Sequence, residues 1–336
     1  MFAVRAQSVF YSQYYRAQMM LNPALTGSTP EKWRFTGLWQ SKTFDTTLSH
    51  STKLLFAEYT FSFRNKYRGY GLVTEDKTPI TFGFGLGSEW RDSPLSWHKF
   101  VSAYGSLAIH VRPSTESMIS VGFQPGIFEG AGYYPVQQSS YSPFDTLILP
   151  GRQYRLHFDY NAGIVVGIGK MDCWIEDQQY RFMLGASAYH LNRDYRMPLD
   201  DHLPGKELHA HISYLWDVNN KIGLIPRIMY MYEGQHLAQG GVVALYRRHF
   251  GNFDRLRMGL AYKSDMQLSA SAGVRFYGSK DKTLSADLEI SYDYLIGTQT
   301  TPRIYKNALE ISLIISPLTK CWSQSECSGN YQLESY

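Results

Sequence analysis

From about residue 33 to residue 316 the chain is a succession of segments, each roughly ten residues long, in which apolar and polar residues alternate. The stretch from Leu284 to Tyr294 is the clearest. Its even positions are Leu284, Ala286, Leu288, Ile290, Tyr292 and Tyr294, and its odd positions are Ser, Asp or Glu. An extended strand sends successive side chains to opposite faces, so each segment has one greasy and one polar side. In water the greasy side must pack on a second layer, whereas in a membrane barrel it meets acyl chains and the polar side lines the lumen. Both solutions are all-β.

Composition favours the membrane solution. Aromatics make up 15% of the chain, with 26 Tyr, 18 Phe and 7 Trp, and charged residues only 18%, against about 25% in ordinary soluble domains. Aromatic girdles at the two bilayer interfaces would use that excess. The mean hydropathy of -0.31 is no objection, because every second residue of a membrane strand faces the lumen and is free to be polar. No run of 18 apolar residues exists to form a spanning helix. The net charge of +4 is mild and its Lys and Arg are scattered, which excludes a nucleic-acid surface.

Met1-Phe2-Ala3 has neither a charged start nor an apolar core of signal-peptide length, but Val4-Arg5-Ala6 before Gln7 reads as a small-x-small cleavage site. Residues 1–6 are therefore expected to be a signal-peptide remnant. At the other end, 317–336 is expected to be a periplasmic tail in which Cys321 and Cys327 can form a disulfide, leaving Cys173 single. No His stands near the cysteine pair to make a zinc site.

The alternation marks about fourteen strands, near 33–41, 53–63, 80–90, 99–111, 117–127, 153–167, 179–191, 206–217, 220–232, 236–247, 254–263, 266–277, 283–295 and 304–315. An even number suits a bacterial up-and-down barrel. With the first strand running outward, the short links Val218-Asn219-Asn220 and 278–282 fall on the periplasmic side and the long links 128–152 and 192–205 outside; 64–79 is a long exception. Residues 7–32 are too few for a domain. A lumen of this circumference has room for them, so they are expected to plug it.

Several separated motifs make the chain similar to the PorP/SprF family of type IX secretion and gliding proteins of Bacteroidetes. They are Ser12-Gln13-Tyr14-Tyr15 with Asn22-Pro23-Ala24-Leu25-Thr26-Gly27, then Phe158 to Gly163, Leu184 to Asn192, Ile290 to Asp293 and Glu310 to Leu313. The Asn22-Pro23-Ala24 turn also resembles one in the hatch of FadL-type transporters, another fourteen-stranded barrel. The chain departs from the family at Gly37-Leu38-Trp39-Gln40-Ser41, where Arg-x-Gln-Trp is usual. The resemblance implies a multi-pass outer-membrane protein of a Gram-negative bacterium that takes no cofactor. It also implies partners, namely a secreted substrate with a type B C-terminal domain or periplasmic and lipoprotein components of the secretion machine.

Candidate chemical sites are few. Gly83-Phe84-Gly85-Leu86-Gly87 lacks the spacing of a dinucleotide loop, and small residues on a lumen face instead leave room for the plug. His209 and His211 share a face with Glu207, but no nucleophile stands beside a base that a third group orients, so the chain is expected not to be an enzyme. Asp200-Asp201-His202 offers too few ligands for a cation. Arg181, Arg227, Arg255, Arg257 and Arg275 are expected to face inward and pair with Asp287, Glu289, Asp293 and Glu310 across the lumen. Such a network either stiffens the wall and holds the plug or lines an ion-selective pore.

Overall fold

The computed structural model describes residues 11–29, 31–45, 48–62, 80–93, 98–114, 116–133, 152–170, 180–192, 206–219, 221–233, 236–250, 253–277, 284–296 and 307–317. Fourteen strands form one closed sheet. They are β1 (Trp33–Asp45), β2 (Leu48–Ser62), β3 (Ile80–Ser93), β4 (His98–Ser114), β5 (Ser117–Tyr133), β6 (Arg152–Lys170) and β7 (Tyr180–Tyr189). After them come β8 (Glu207–Tyr214, resuming at Trp216–Asp217), β9 (Ile222–Tyr232), β10 (His236–Phe250), β11 (Phe253–Lys263), β12 (Gln267–Tyr277), β13 (Leu284–Leu295) and β14 (Asn307–Pro317).

Each strand pairs antiparallel with the next in sequence, and β1 closes the circle on β14, with Trp39 opposite Ile311. Closure leaves no sheet edge, which is the condition for putting strands into hydrocarbon. The expected strands are all present. Among the links, residues 128–133 extend β5 instead of starting a loop. The segments 63–79, 134–151, 193–205, 278–283 and 318–336 lie outside the described residues, and with them Asp200, Asp201, His202, Cys321 and Cys327. At the tight link after β8, Asn219 Oδ1 accepts from the backbone N–H groups of Lys221 and Ile222, both at 2.8 Å.

The burial pattern is inverted relative to a soluble protein. On β13 the polar Ser285, Asp287, Glu289, Ser291 and Asp293 are buried, while Ile290, Tyr292 and Tyr294 are exposed. The same holds around the wall, up to Leu86 at 70% exposure in the middle of β3. Water would not tolerate so continuous an apolar belt, and acyl chains would cover it. Tyr230, Tyr262 and Tyr294 stand on the outer face near the ends of odd-numbered strands, with Phe61, Tyr214 and Trp216 near the opposite rim. These positions suit the two interfacial girdles. Among the described residues no helix is long and apolar enough to cross a membrane.

Candidate functional site

Residues 11–29 run inside this cylinder, and all of them but Tyr15 and Met20 are fully buried. Their only regular structure is a single helical turn, Gln18–Leu21, and a 3-10 turn, Pro23–Leu25. Turns inside the stretch satisfy part of its backbone, as from the Asn22 N–H to Gln18 and the Leu25 N–H to Asn22, and the remaining buried N–H and C=O groups need partners elsewhere. The wall supplies them. Glu310 takes the backbone N–H of Ser12 on one oxygen at 2.7 Å and that of Gln13 on the other at 2.9 Å. Gln239 donates to the Ser12 carbonyl at 3.0 Å, Ser187 to Leu21 at 2.9 Å, Ser120 to Ala24 at 2.7 Å and Thr60 to Gly27 at 3.0 Å. His110 Nε2 meets the Thr26 carbonyl at 2.9 Å.

The Asn-Pro-Ala turn is built for its seat. Asn22 Oδ1 caps the 3-10 turn by accepting from Ala24 N at 2.9 Å, and Pro23 fits the first helical position, where no N–H is needed. Asn22 Nδ2 reaches outward to the carbonyls of Ile164 and Ala186, at 3.0 and 3.1 Å, on β6 and β7. The wall is hollowed there by glycine. A Cβ on Gly83 would overlap the Thr26 carbonyl, one on Gly122 the Pro23-Ala24 peptide, and one on Gly163 the Asn22 side chain. Gly27 itself takes φ +64°, a conformation glycine adopts freely.

Charge fastens the other half of the segment. Arg16 Nη2 lies 2.8 Å from Asp287 and its Nε 3.7 Å from Glu289, with all three side chains buried. Arg257 meets the same two carboxylates from the wall, bonding Asp287 closely and Glu289 at 3.5 Å. Tyr15 donates a short hydrogen bond to Glu289, and the Arg227 guanidinium lies 4.0 Å over its ring. Tyr14 packs edge-on against Tyr15, with ring centroids 5.8 Å apart. Ser12 Oγ reaches Asp293 at 2.5 Å, and Lys263 holds that carboxylate at 2.6 Å. Gln13 Nε2 donates to Ser291 at 3.0 Å. Two cations facing two carboxylates, each further hydrogen-bonded, is the arrangement that makes buried charge tolerable.

Most of the residues singled out in the sequence converge on this seat, but not all as expected. Arg257 does pair with Asp287 and Glu289; Arg227 instead covers Tyr15, and Arg275 bonds Glu31 at 3.4 Å and Ser285 at 3.1 Å. Arg255 lies half-buried on the same face of β11 as Arg257. Arg181 is not an interior cation. It stands at the start of β7 with its side chain 56% exposed and pairs with Asp217 at 3.4 Å, while Tyr180 fills the lumen over Gly167. His211 Nε2 touches Asn22 Nδ2 at 3.4 Å, and His209 Nε2 bonds Glu207 at 3.1 Å, with no serine hydroxyl joining that pair among the described residues. Sequence reasoning missed Arg16, Lys263, Gln239 and His110. The period of two that placed Arg257 also places Lys263 inward, but nothing in the irregular stretch 11–29 marked Arg16.

Solved structures at very low identity share the fold. A FadL homologue of Pseudomonas aeruginosa superposes with TM-score 0.54 at 10% identity, covering 88% of this chain and 92% of that one. The Ralstonia pickettii toluene transporter TbuX gives 0.53 at 12%, covering 90% and 92%. A deltaS2 mutant of the monoaromatic hydrocarbon channel TodX gives 0.54 at 12%, covering 90% and 93%. Among curated proteins no sequence matches. Residues 3–315, nearly the whole chain, match the type IX secretion system membrane protein family PorP/SprF. A closed fourteen-stranded cylinder with a lipid-facing belt and that match make it a multi-pass outer-membrane protein. The chain belongs to the PorP/SprF family of type IX secretion system membrane proteins.

Proposed function

We propose that this protein is a non-enzymatic outer-membrane barrel, stoppered by residues 11–29, that anchors or helps secrete a cell-surface adhesin or effector bearing a type B C-terminal domain. Family membership supports the secretion system as its setting. The observation that carries the rest is the fastening of the N-terminal segment across the bore by Glu310, Asp293, Asp287 and Glu289. A bore so occupied leaves the rims as the working surfaces. On this reading cargo is held by contacts at the mouth formed by the links after odd-numbered strands, and the opposite rim meets periplasmic or lipoprotein components. The same geometry would serve a core part of the secretion machine, so the partner decides between anchor and machine component.

Two measurements test the proposal. In planar bilayers the intact protein is expected to give no steady conductance, and deletion of residues 11–29 is expected to open one. In cells, deleting residues 134–151 or 193–205 is expected to release the cargo from the surface while the barrel stays in the membrane. Cargo retained after both deletions, or an open pore in the intact protein, would refute it.

A further inference from the structure

The N-terminal segment does not fill the bore evenly. Toward the ends of the odd-numbered strands it leaves a partly open cavity between itself and strands β3, β4, β5, β6, β7, β8 and β9. Its lining includes aromatic and thioether side chains, among them Tyr11, Tyr14, Phe128, Met229 and Met231. One end carries charge. There His190 Nδ1 bonds Asp159 Oδ2 at 2.8 Å, His209 Nε2 bonds Glu207 Oε2 at 3.1 Å, and His190 Nε2 lies 3.9 Å from Glu207 Oε1.

This cluster is incomplete in a specific sense. Asp159 Oδ1 and His209 Nδ1 are buried without a hydrogen-bond partner, and both residues line the cavity. Asp159 is 7% exposed and His209 8%. A carboxylate only accepts, so His209 Nε2 is the donor to Glu207. Asp159 Oδ1 is an unmet acceptor on a carboxylate. Charge points the same way, because Glu89, Asp159 and Glu207 share the cavity lining with one guanidinium, Arg91, which bonds Glu89 at 2.5 Å. An unpartnered buried carboxylate oxygen is costly, and a ligand bringing N–H donors and positive charge relieves it.

We propose that this cavity binds an organic cation of side-chain size, an ammonium on an aromatic or aliphatic body. The body lies against the aromatic and methionine side chains, and the head donates to Asp159. Aromatic faces add attraction for the cation. The ammonium can belong to a free amine or to a lysine of an extended peptide. This assignment is independent of which partner the barrel serves.

Isothermal titration of the intact protein in detergent, with 2-phenylethylammonium as probe and ethylbenzene as its neutral counterpart, tests it. The ammonium is expected to bind saturably and at least about tenfold more tightly than ethylbenzene, one charge-assisted hydrogen bond being enough for that. Asp159→Asn is expected to weaken it about tenfold or more, with heat-modifiable gel migration confirming the folded barrel. Titration with Nα-acetyl-lysine amide, whose side-chain ammonium is free, separates the sources, since tighter binding than the free amine assigns a peptide lysine and weaker binding a small amine. Equal or tighter binding of ethylbenzene, no saturable binding of either cation, or an unchanged affinity in folded Asp159→Asn would overturn the proposal. The wild-type comparison needs no variant, so a folding failure cannot rescue it.

Discussion

Arg16 on the N-terminal segment and Arg257 on β11 grip the same carboxylate, Asp287 on β13, from opposite sides, and both also reach Glu289. Neither cation is redundant, since two buried carboxylates facing one guanidinium would leave net negative charge in a space closed to water.

Replacing Arg16 by alanine is expected to cost about 3–5 kcal/mol, the range for removing one partner of a buried ion pair. Denaturant titration of the barrel, followed by gel mobility, reads the cost. Arg16→Ala combined with Asp287→Asn should recover part of it, because the pair of changes removes charge from both sides.

A second expectation concerns the hollows in the wall. Gly83→Val and Gly163→Val insert carbon where the Thr26 carbonyl and the Asn22 side chain now sit. The barrel itself needs no such contact, so the segment should be expelled while the strands persist, and single-channel recording should show steady conductance. Gly240→Ala, where a Cβ meets nothing within 4 Å, is the control and should remain closed.

Asn22→Ala removes a cap and two bonds to wall carbonyls at once. The cap alone is worth about 1 kcal/mol. Hydrogen exchange should therefore quicken at Ala24 and its neighbours well before any strand amide responds. Equal protection in the variant would show that glycine-lined fit, and not Asn22, holds the turn.

The outer face makes its own prediction. Leu86→Arg at mid-height of β3 should destabilise the inserted barrel by about 2–4 kcal/mol, the cost of arginine at the bilayer midplane, whereas the same change on a soluble strand would be nearly silent. Folding into lipid vesicles under urea titration measures it.

How far the sequence spoke depended on periodicity. A period of two places Asp287, Glu289 and Asp293 on one face whatever their partners, and so the wall was readable strand by strand, including the inward Arg257. The partners were less so, because pairing across a bore depends on register around the whole circle. Arg227 and Arg275 face inward as alternation requires, yet one lies over Tyr15 and the other against Glu31. Arg181 has no interior role because the alternation of β7 breaks at its first residues, where Tyr180 turns into the lumen and Arg181 out of it. Least legible was the stretch 11–29, whose shape is dictated by wall groups such as Ser120, His110 and Glu310 and not by any repeat of its own.

The bonds of that stretch are ordered along the cylinder axis: Ser12 and Gln13 are fixed near the finish of β13, Asn22 at mid-height, and Gly27 beside the start of β3. Tension applied at Tyr11 toward the first of these levels would meet the attachments one after another, like a zipper, and never all together. The force needed to unseat the segment is then set by its strongest single attachment, the Arg16 clamp, while its resting stability reflects them all.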